Sequence, residues 1–311
     1  MNISLNAEPT MQASIDRSCP VCRGSDPVSL WSKAGMCYMR CGHCTMVYAN
    51  PVPKTFVTGQ FYQDRTQDFY LSATKLTADY DPVRFQREWR LFRSWVSPGR
   101  VLDVGCSTGG FLRGLIPLGF EVLGQDVSTG ALQQAERVGI RVTHTPFLEL
   151  SGYGDSFDAV TFWAVLEHVM EPHAFLAHAH RLLRPGGMCM VLVPNLHSLA
   201  IRLLGARYRY VMPEHINFFS PRSMRTMVES TGEWEVKHLG SMHFNPVVLL
   251  QDMWRGGHCV PDSERAGLLK RTNRWKKHPA LGPLRWGYRC LESLLNTQVA
   301  GDNLTVVLQK K

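Results

Sequence analysis

Short apolar runs alternating with amphipathic stretches occupy the middle of the chain. Val101-Leu102-Asp103-Val104 is an apolar run broken by one acid, and it stops at Gly105-Cys106-Ser107-Thr108-Gly109-Gly110. A run of this kind predicts a buried parallel strand, and the glycines predict a turn with unusual backbone angles. Phe111-Leu112 then begin a helical pattern. A second run, Glu121 to Gln125, ends at the acid Asp126, and Ser128 caps a helix with Ala131, Leu132, Ala135 and Val138 on one face. Ile140–His144 and Phe157–Ala164 read as the third and fourth strands. Pro172 opens a helix with Phe175, Leu176, Ala179, Leu182 and Leu183 inward, and Arg184-Pro185-Gly186-Gly187 turns into a fifth strand, Met188–Pro194. Such βαβ alternation implies a parallel sheet with helices on both faces. Leu199–Leu204 reads as a short helix, and Ser220 and Pro221 as N-cap and N1 of a helix over Arg222–Ser230. Trp234–Leu239 and Gly301–Gln309 are the last two strands.

The flanks follow other patterns. Residues 1–17 are polar and predict a loose tail without a signal peptide. Asp81-Pro82 reads as N-cap and N1 of a helix carrying Phe85, Trp89, Leu91, Phe92 and Trp95. Residues 241–300 mix Met242, Phe244, Met253, Trp254, Trp275, Trp286 and Tyr288 with Arg255, Arg271, Arg274, Lys276, Lys277, Arg285 and Arg289. A long insertion in a compact domain is usually functional. This one suits an acceptor with a ring and an anionic group, a nucleic-acid backbone, or a helical dimerisation element.

Composition narrows the classes. The 311 residues, 44% hydrophobic and 19% charged, are ordinary for a globular protein and suffice for one α/β domain with small modules. No stretch of about 18 apolar residues predicts a membrane span. Nine cysteines point to a reducing, cytoplasmic setting and to metal rather than disulfides. The net charge of +8 favours an anionic partner. Four of the cysteines form Cys19-Pro20-Val21-Cys22 and Cys41-Gly42-His43-Cys44, with 18 residues between the pairs. Two such knuckles match a zinc ribbon over residues 18–55, and a closed Cys19, Cys22, Cys41, Cys44 shell predicts a structural zinc.

Asp103-x-Gly105-x-Ser107-x-Gly109 resembles motif I of class I S-adenosylmethionine-dependent methyltransferases, with Ser107 in place of the usual middle glycine. A carboxylate beside the turn repels a pyrophosphate and suits the amino group of a cationic methionine moiety. "FDAV…VLEHV…LLRPGG…VLVPN" is similar to the later motifs of that family, over about residues 83–240. With the ribbon, the chain resembles small-molecule methyltransferases that include sugar C-methyltransferases. The resemblance implies a Rossmann-like doubly wound seven-stranded sheet, with residues 56–98 as a helical lid or linker. The core would be 99–240 and 301–311, and the cap 241–300. It places Asp103, Gly105 and Gly109 at the methionine end of the cofactor, Asp126 at the ribose, Phe147 near the adenine and Trp163 near the sulfonium. Cys106, Ser107, Val127 and Phe162 complete that set. The sugar C-methyltransferases carry Tyr-x-Glu-His in the loop over the site, and here Glu214 and His215 follow Met212. His215 is then the general base, oriented by Glu214. His168 reads as a packing residue, and His173, His178 and His180 as solvated or helix-end residues. The implied activity is methyl transfer to a small acceptor, O-methylation favoured, without membrane or defined oligomeric state. Methylation of rRNA by a zinc-ribbon enzyme is the alternative, and a non-catalytic cofactor-fold module a weaker one.

Overall fold

The computed structural model describes residues 13–261, 264, 265, 267, 268, 270, 271 and 282–311. Residues 1–12 of the expected tail, Arg274, Trp275, Lys276 and Lys277, and the side chains of Arg285, Trp286 and Arg289, lie outside the described residues.

The start of the described chain is not a loose tail. β1 (Ser14–Ile15) pairs antiparallel with β5 (Val52–Pro53). The Arg17 guanidinium donates to the carbonyls of Ala49, Met170 and Ile216 and to Asn217 Oδ1. A two-residue strand carries no readable period, and the anchors of Arg17 lie far away in sequence. The ribbon strands β2 (Pro27–Lys33), β3 (Met36–Cys41) and β4 (Val47–Ala49) form an antiparallel sheet.

Four short helices follow: α1 (Lys54–Val57), α2 (Gln60–Asp64), α3 (Ala73–Asp79) and α4 (Gln86–Arg93), with a wide turn at Thr66–Tyr70. The last begins later than its proline suggests. Asp81 accepts from the Val83 amide in a local turn instead of capping it.

The core sheet holds β6 (Arg100–Val104), β7 (Glu121–Gln125), β8 (Val142–Thr143), β9 (Phe157–Trp163), β10 (Leu183–Pro194), β12 (Trp234–Met242) and β13 (Asn303–Lys310), in the order β12-β13-β10-β9-β6-β7-β8. The five neighbours from β10 to β8 pair in parallel, whereas β13 is antiparallel to both β10 and β12. The third strand shrinks to an edge dipeptide because Ile140 is drawn inward instead, under Gly109. Leu183 starts β10 rather than ending a helix, and Arg184 to Gly187 form a register shift inside that strand.

One face carries α7 (Pro172–Leu182) and α9 (Pro221–Glu229), which bury Leu176, Ala179, Leu182, Met224 and Met227. The other carries α4, α5 (Gly110–Arg113) and α6 (Thr129–Arg137) around Phe92, Phe111, Leu112 and Leu132. Of the α7 histidines, His173 and His180 lie in the first and last turns, as expected, whereas His178 is buried rather than solvated. His178 is buried against Phe147, His173 Nε2 meets the Val21 carbonyl at 2.7 Å, and His180 stands edge-on to Trp234.

The chain between β12 and β13 contributes α10 (Pro246–Trp254) and α11 (Gly282–Thr297). Because β12 runs to Met242, this insertion starts two residues later than the sequence suggests. A buried bidentate pair, Arg209 with Asp252, fastens α10 to the loop after α8 (Leu199–Leu204). Among the described residues no helix is long and apolar enough to cross a membrane.

Candidate active site

The glycine-rich turn is built on backbone geometry. Gly105 and Gly109 have φ of 73° and 79°, where a Cβ is costly. A Cβ on Gly105 would also stand 2.6 Å from Val165 Cγ2. Ser107 occupies the same left-handed region at φ 50°, which explains why the related motif uses glycine there. The amides of Gly105 and Cys106 both donate to the Gln125 carbonyl, at 2.7 and 2.9 Å. Asp126 then accepts the Ser107 amide on Oδ2 and the Ser128 amide on Oδ1, each at 2.8 Å. Each carboxylate oxygen retains a second lone pair, so the residue fits a pair of ribose hydroxyls. Asp103 is buried at the end of β6, with Thr161 Oγ1 donating to it at 2.6 Å. Burial pushes its carboxyl up to about 7, against that hydrogen bond. A cation arriving beside it would restore the charge, as the methionine amino group does.

Not every predicted cofactor contact presents itself. Phe147 and Phe162 are core residues, packed edge-on with ring centres 5.5 Å apart and shielded by Phe175 and His178. With 3% and 0% of their surfaces exposed, they have no face left for an adenine. Strand alternation explains the split, because Phe162 points to the α7 face and Trp163 to the other. Trp163 is partly exposed against Phe111, and its indole N–H has no partner among the described residues. The Cys106 side chain is buried beside Gly124. Val127 is exposed, and its carbonyl accepts from Gln63. Thr66 and Ser128 hydroxyls join the wide turn at 66–70 to the first turn of α6.

Next to this corner lies a cavity of about 440 Å³. Its floor includes Ala164, Leu192 and Pro194 at the ends of β9 and β10, and Glu167, His168, Glu214 and His215 form one wall. Phe61, Tyr62 and Arg65 from the N-terminal helices, and Phe244, Arg265 and Tyr288 from the insertion, close it. The lining carries Tyr62 Oη, Arg84 Nε, Glu88 Oε2 and both Glu167 oxygens without hydrogen-bond partners among the described residues.

Two loops distant in sequence are fastened together at that wall. The amides of Ile216 and Asn217 donate to the Glu167 carbonyl, and Asn217 Nδ2 donates to the carbonyls of Leu166 and Val169. This brings the His168 and His215 rings to 4.8 Å between centres. Glu214 does not orient His215. Its carboxylate meets Arg265 at 2.8 Å and Arg65 at 3.2 Å, while His215 Nδ1 donates to the Tyr210 carbonyl at 2.8 Å. Burial opposes ionisation of Glu214, but Arg265, His215 and Arg65 outweigh it and hold the carboxyl at about 2. Burial and the facing His168 push His215 down to about 3, so the imidazole is neutral with its lone pair on Nε2. His168 is packed and satisfied, as the sequence suggests. Its Nδ1 meets the Glu214 carbonyl at 2.8 Å, and burial lowers its pKa. The legible signal for this wall was an acid and an imidazole set among apolar residues directly after a strand.

The strand after His215, β11 (Asn217–Phe218), is the fourth strand of the ribbon sheet, pairing with β4 through Asn217–Tyr48 and Phe218–Val47. Tyr38 Oη also donates to the Met212 carbonyl at 3.0 Å. The ribbon is therefore a buttress for the loop that carries Glu214 and His215. Its four cysteine sulfurs lie within 4.8 Å of one another, with Cys19–Cys44 at 3.5 Å and Cys22–Cys41 at 3.4 Å. Four thiolates at about 2.3 Å from a tetrahedral zinc stand about 3.8 Å apart, so the set fits that ion.

A methyltransferase-domain family profile matches residues 84–236. The ubiquinone biosynthesis O-methyltransferase of Dinoroseobacter shibae is 34% identical over 161 residues, covering 48% of this chain and 64% of that protein. The enzyme of that name from Ruegeria pomeroyi is 32% identical with the same coverage. The chain thus spans just under two thirds of the length of these relatives. Among solved structures, Haemonchus contortus phosphoethanolamine N-methyltransferase 2 with S-adenosyl-L-methionine shares the fold with a TM-score of 0.52 and 20% identity, over 85% of this chain and 62% of that one. Taken with the β8-to-β12 sheet order and the acid-flanked glycine turn, these matches make residues 84–236 a class I S-adenosylmethionine-dependent methyltransferase domain.

Proposed function

We propose that the protein transfers a methyl group from S-adenosylmethionine to a hydroxyl oxygen of a small molecule held in the 440 Å³ cavity. The observation that carries this reading is the placement of the Glu167–His168–His215 wall at the strand ends, one loop away from the glycine-rich turn through the Val165–Gly105 contact. The names of the relatives, O-methyltransferases, support oxygen as the acceptor atom. The cofactor supplies an electrophilic methyl on sulfur. Asp126 and Asp103 fix its two ends, and the cavity walls align the acceptor oxygen for in-line displacement. Once bound, the cofactor would exchange its carbon–sulfur bond for a carbon–oxygen bond to the acceptor, whose hydroxyl proton must then leave. Enclosed aromatic rings beside unpartnered polar atoms suit a ring-bearing, hydroxylated acceptor. The cysteine cluster holds a structural zinc in this reading, because its shell leaves no open position.

Incubation with methyl-labelled cofactor and panels of phenols, sugars and total RNA tests the proposal. Label and S-adenosylhomocysteine should accumulate with a hydroxylated small molecule. His215→Ala should cut kcat by roughly 10²–10⁴-fold while cofactor affinity stays unchanged. Transfer to RNA alone, or none to any hydroxyl, overturns it.

A further inference from the structure

Glu167 has an unusual environment. Its carboxylate is wholly buried, and among the described residues neither oxygen has a hydrogen-bond partner. His168 Nε2 is 4.0 Å from Oε1, too far for a hydrogen bond to a protonated acid. An unpaired buried carboxyl is costly in either protonation state. Facing it are two imidazoles whose Nδ1 atoms are each 2.8 Å from a backbone carbonyl, Glu214 for His168 and Tyr210 for His215. A carbonyl only accepts, so each Nδ1 carries the proton and each Nε2 offers its lone pair. A backbone carbonyl bonded to the far nitrogen of a ligating histidine fixes both tautomer and ring orientation. One ligand atom from each of Glu167, His168 and His215 lies within 4.8 Å of the others. Donors on one ion are separated by about 3–4 Å, so a contraction of about 1–2 Å closes the set.

We infer that Glu167, His168 and His215 form a divalent-cation site on the acceptor wall of the cavity. This rests on the acceptor-cavity reading above and adds to it how the acceptor is activated. Two imidazoles and one carboxylate favour a borderline first-row ion such as Fe²⁺, Co²⁺ or Zn²⁺ over Ca²⁺. The harder Mn²⁺ serves as a weaker-binding paramagnetic probe of the same set. Three protein ligands leave open positions toward the cavity, where an acceptor hydroxyl binds, and a cation there lowers the hydroxyl's pKa so that its proton passes to solvent. The histidines then act as ligands rather than as bases. The site is separate from the ribbon, whose four thiolates disfavour Mn²⁺.

Mn²⁺ titrated into the zinc-loaded full-length protein, followed by loss of the free-ion paramagnetic signal, reads the site directly. One Mn²⁺ should bind per chain, Glu167→Gln and His215→Asn should each weaken it at least tenfold, and Cys41→Ser should leave it intact. Circular dichroism and cofactor affinity check that the variants are folded. If a variant does not fold, Co²⁺ spectra of the native protein decide, since nitrogen–oxygen ligation lacks the thiolate charge-transfer bands of the ribbon. No Mn²⁺ binding, or undiminished binding in folded Glu167→Gln, overturns the inference. Methyl transfer that survives chelation would sink the cation and leave the proposed function standing. Mn²⁺ binding without methyl transfer to any hydroxyl would do the reverse.

Discussion

Asp103 couples cofactor binding to pH. Burial holds its carboxyl at about 7, so near neutrality the free protein is a mixture of charged and uncharged forms. Only the carboxylate attracts a cationic amino group, so affinity for S-adenosylmethionine should fall as pH drops through that value. The limit is about tenfold per pH unit. Asp103→Asn should bind weakly throughout and lose the slope. Calorimetry between pH 5.5 and 7.5 checks this, and equal slopes in the two proteins would remove Asp103 from the amino-group contact. Ser107 belongs to the same scale. Its φ of 50° is a left-handed conformation, in which a non-glycine residue costs roughly 1–2 kcal/mol. Ser107→Gly should therefore raise the melting temperature in differential scanning calorimetry, and a fall would mean that its hydroxyl matters more than its backbone.

Among elements, the pairing of β4 with β11 joins the cysteine cluster to the cavity wall. Cys41 ends β3, β3 pairs with β4, β4 pairs with β11, and one residue separates His215 from β11. Cys41→Ser should lower bound zinc and reduce kcat/KM for the acceptor, while the affinity for S-adenosylmethionine, measured by calorimetry, should not change. Parallel loss of both would show that the ribbon supports the whole sheet rather than the acceptor loop. The reading of helix starts illustrates the same scale. Ser220 caps α9 in a box closed by Ser223, because the cap is local. Asp81 closes a separate turn because Phe85 and Trp89 must reach Phe111 and the pocket beside Gly114.

The cavity is a property of the whole molecule, since its walls come from the helices before the core, the core's strand ends and the insertion. Arg209 and Asp252 hold two of these parts together, at 6% and 2% exposure, with contacts of 2.6 to 3.0 Å. Removing one partner of such a buried pair costs about 3–5 kcal/mol, because the other charge is stranded. Asp252→Asn should lower the melting temperature and raise the acceptor KM, whereas Arg209→Met with Asp252→Leu should recover most of the stability. Thermal denaturation compared with acceptor kinetics checks both. A single variant as stable as the native protein would mean that the insertion is held elsewhere.

What was legible in the chain was whatever depends on neighbours in sequence. Apolar runs with a period set by pleat or helix marked the strands β6, β7, β9 and β13 and the helix α6. Glycine spacing marked the turn at 105–109, where backbone angles exclude most side chains. Two C-x-x-C knuckles marked the thiolate cluster, because each supplies its pair locally. Only the tertiary structure decided which chemistry shares a wall. Phe147 and Phe162 looked like cofactor contacts but turned into the core, and Glu214 looked like the partner of His215 but answers to Arg65 and Arg265. His168 and His215, 47 positions apart, became neighbours through hydrogen bonds from Ile216 and Asn217 to the Glu167 carbonyl, which no local pattern encodes. Backbone pairing between loops is specified by the shape of the whole, so which loop residues face one another is decided only once the sheet beneath them is built.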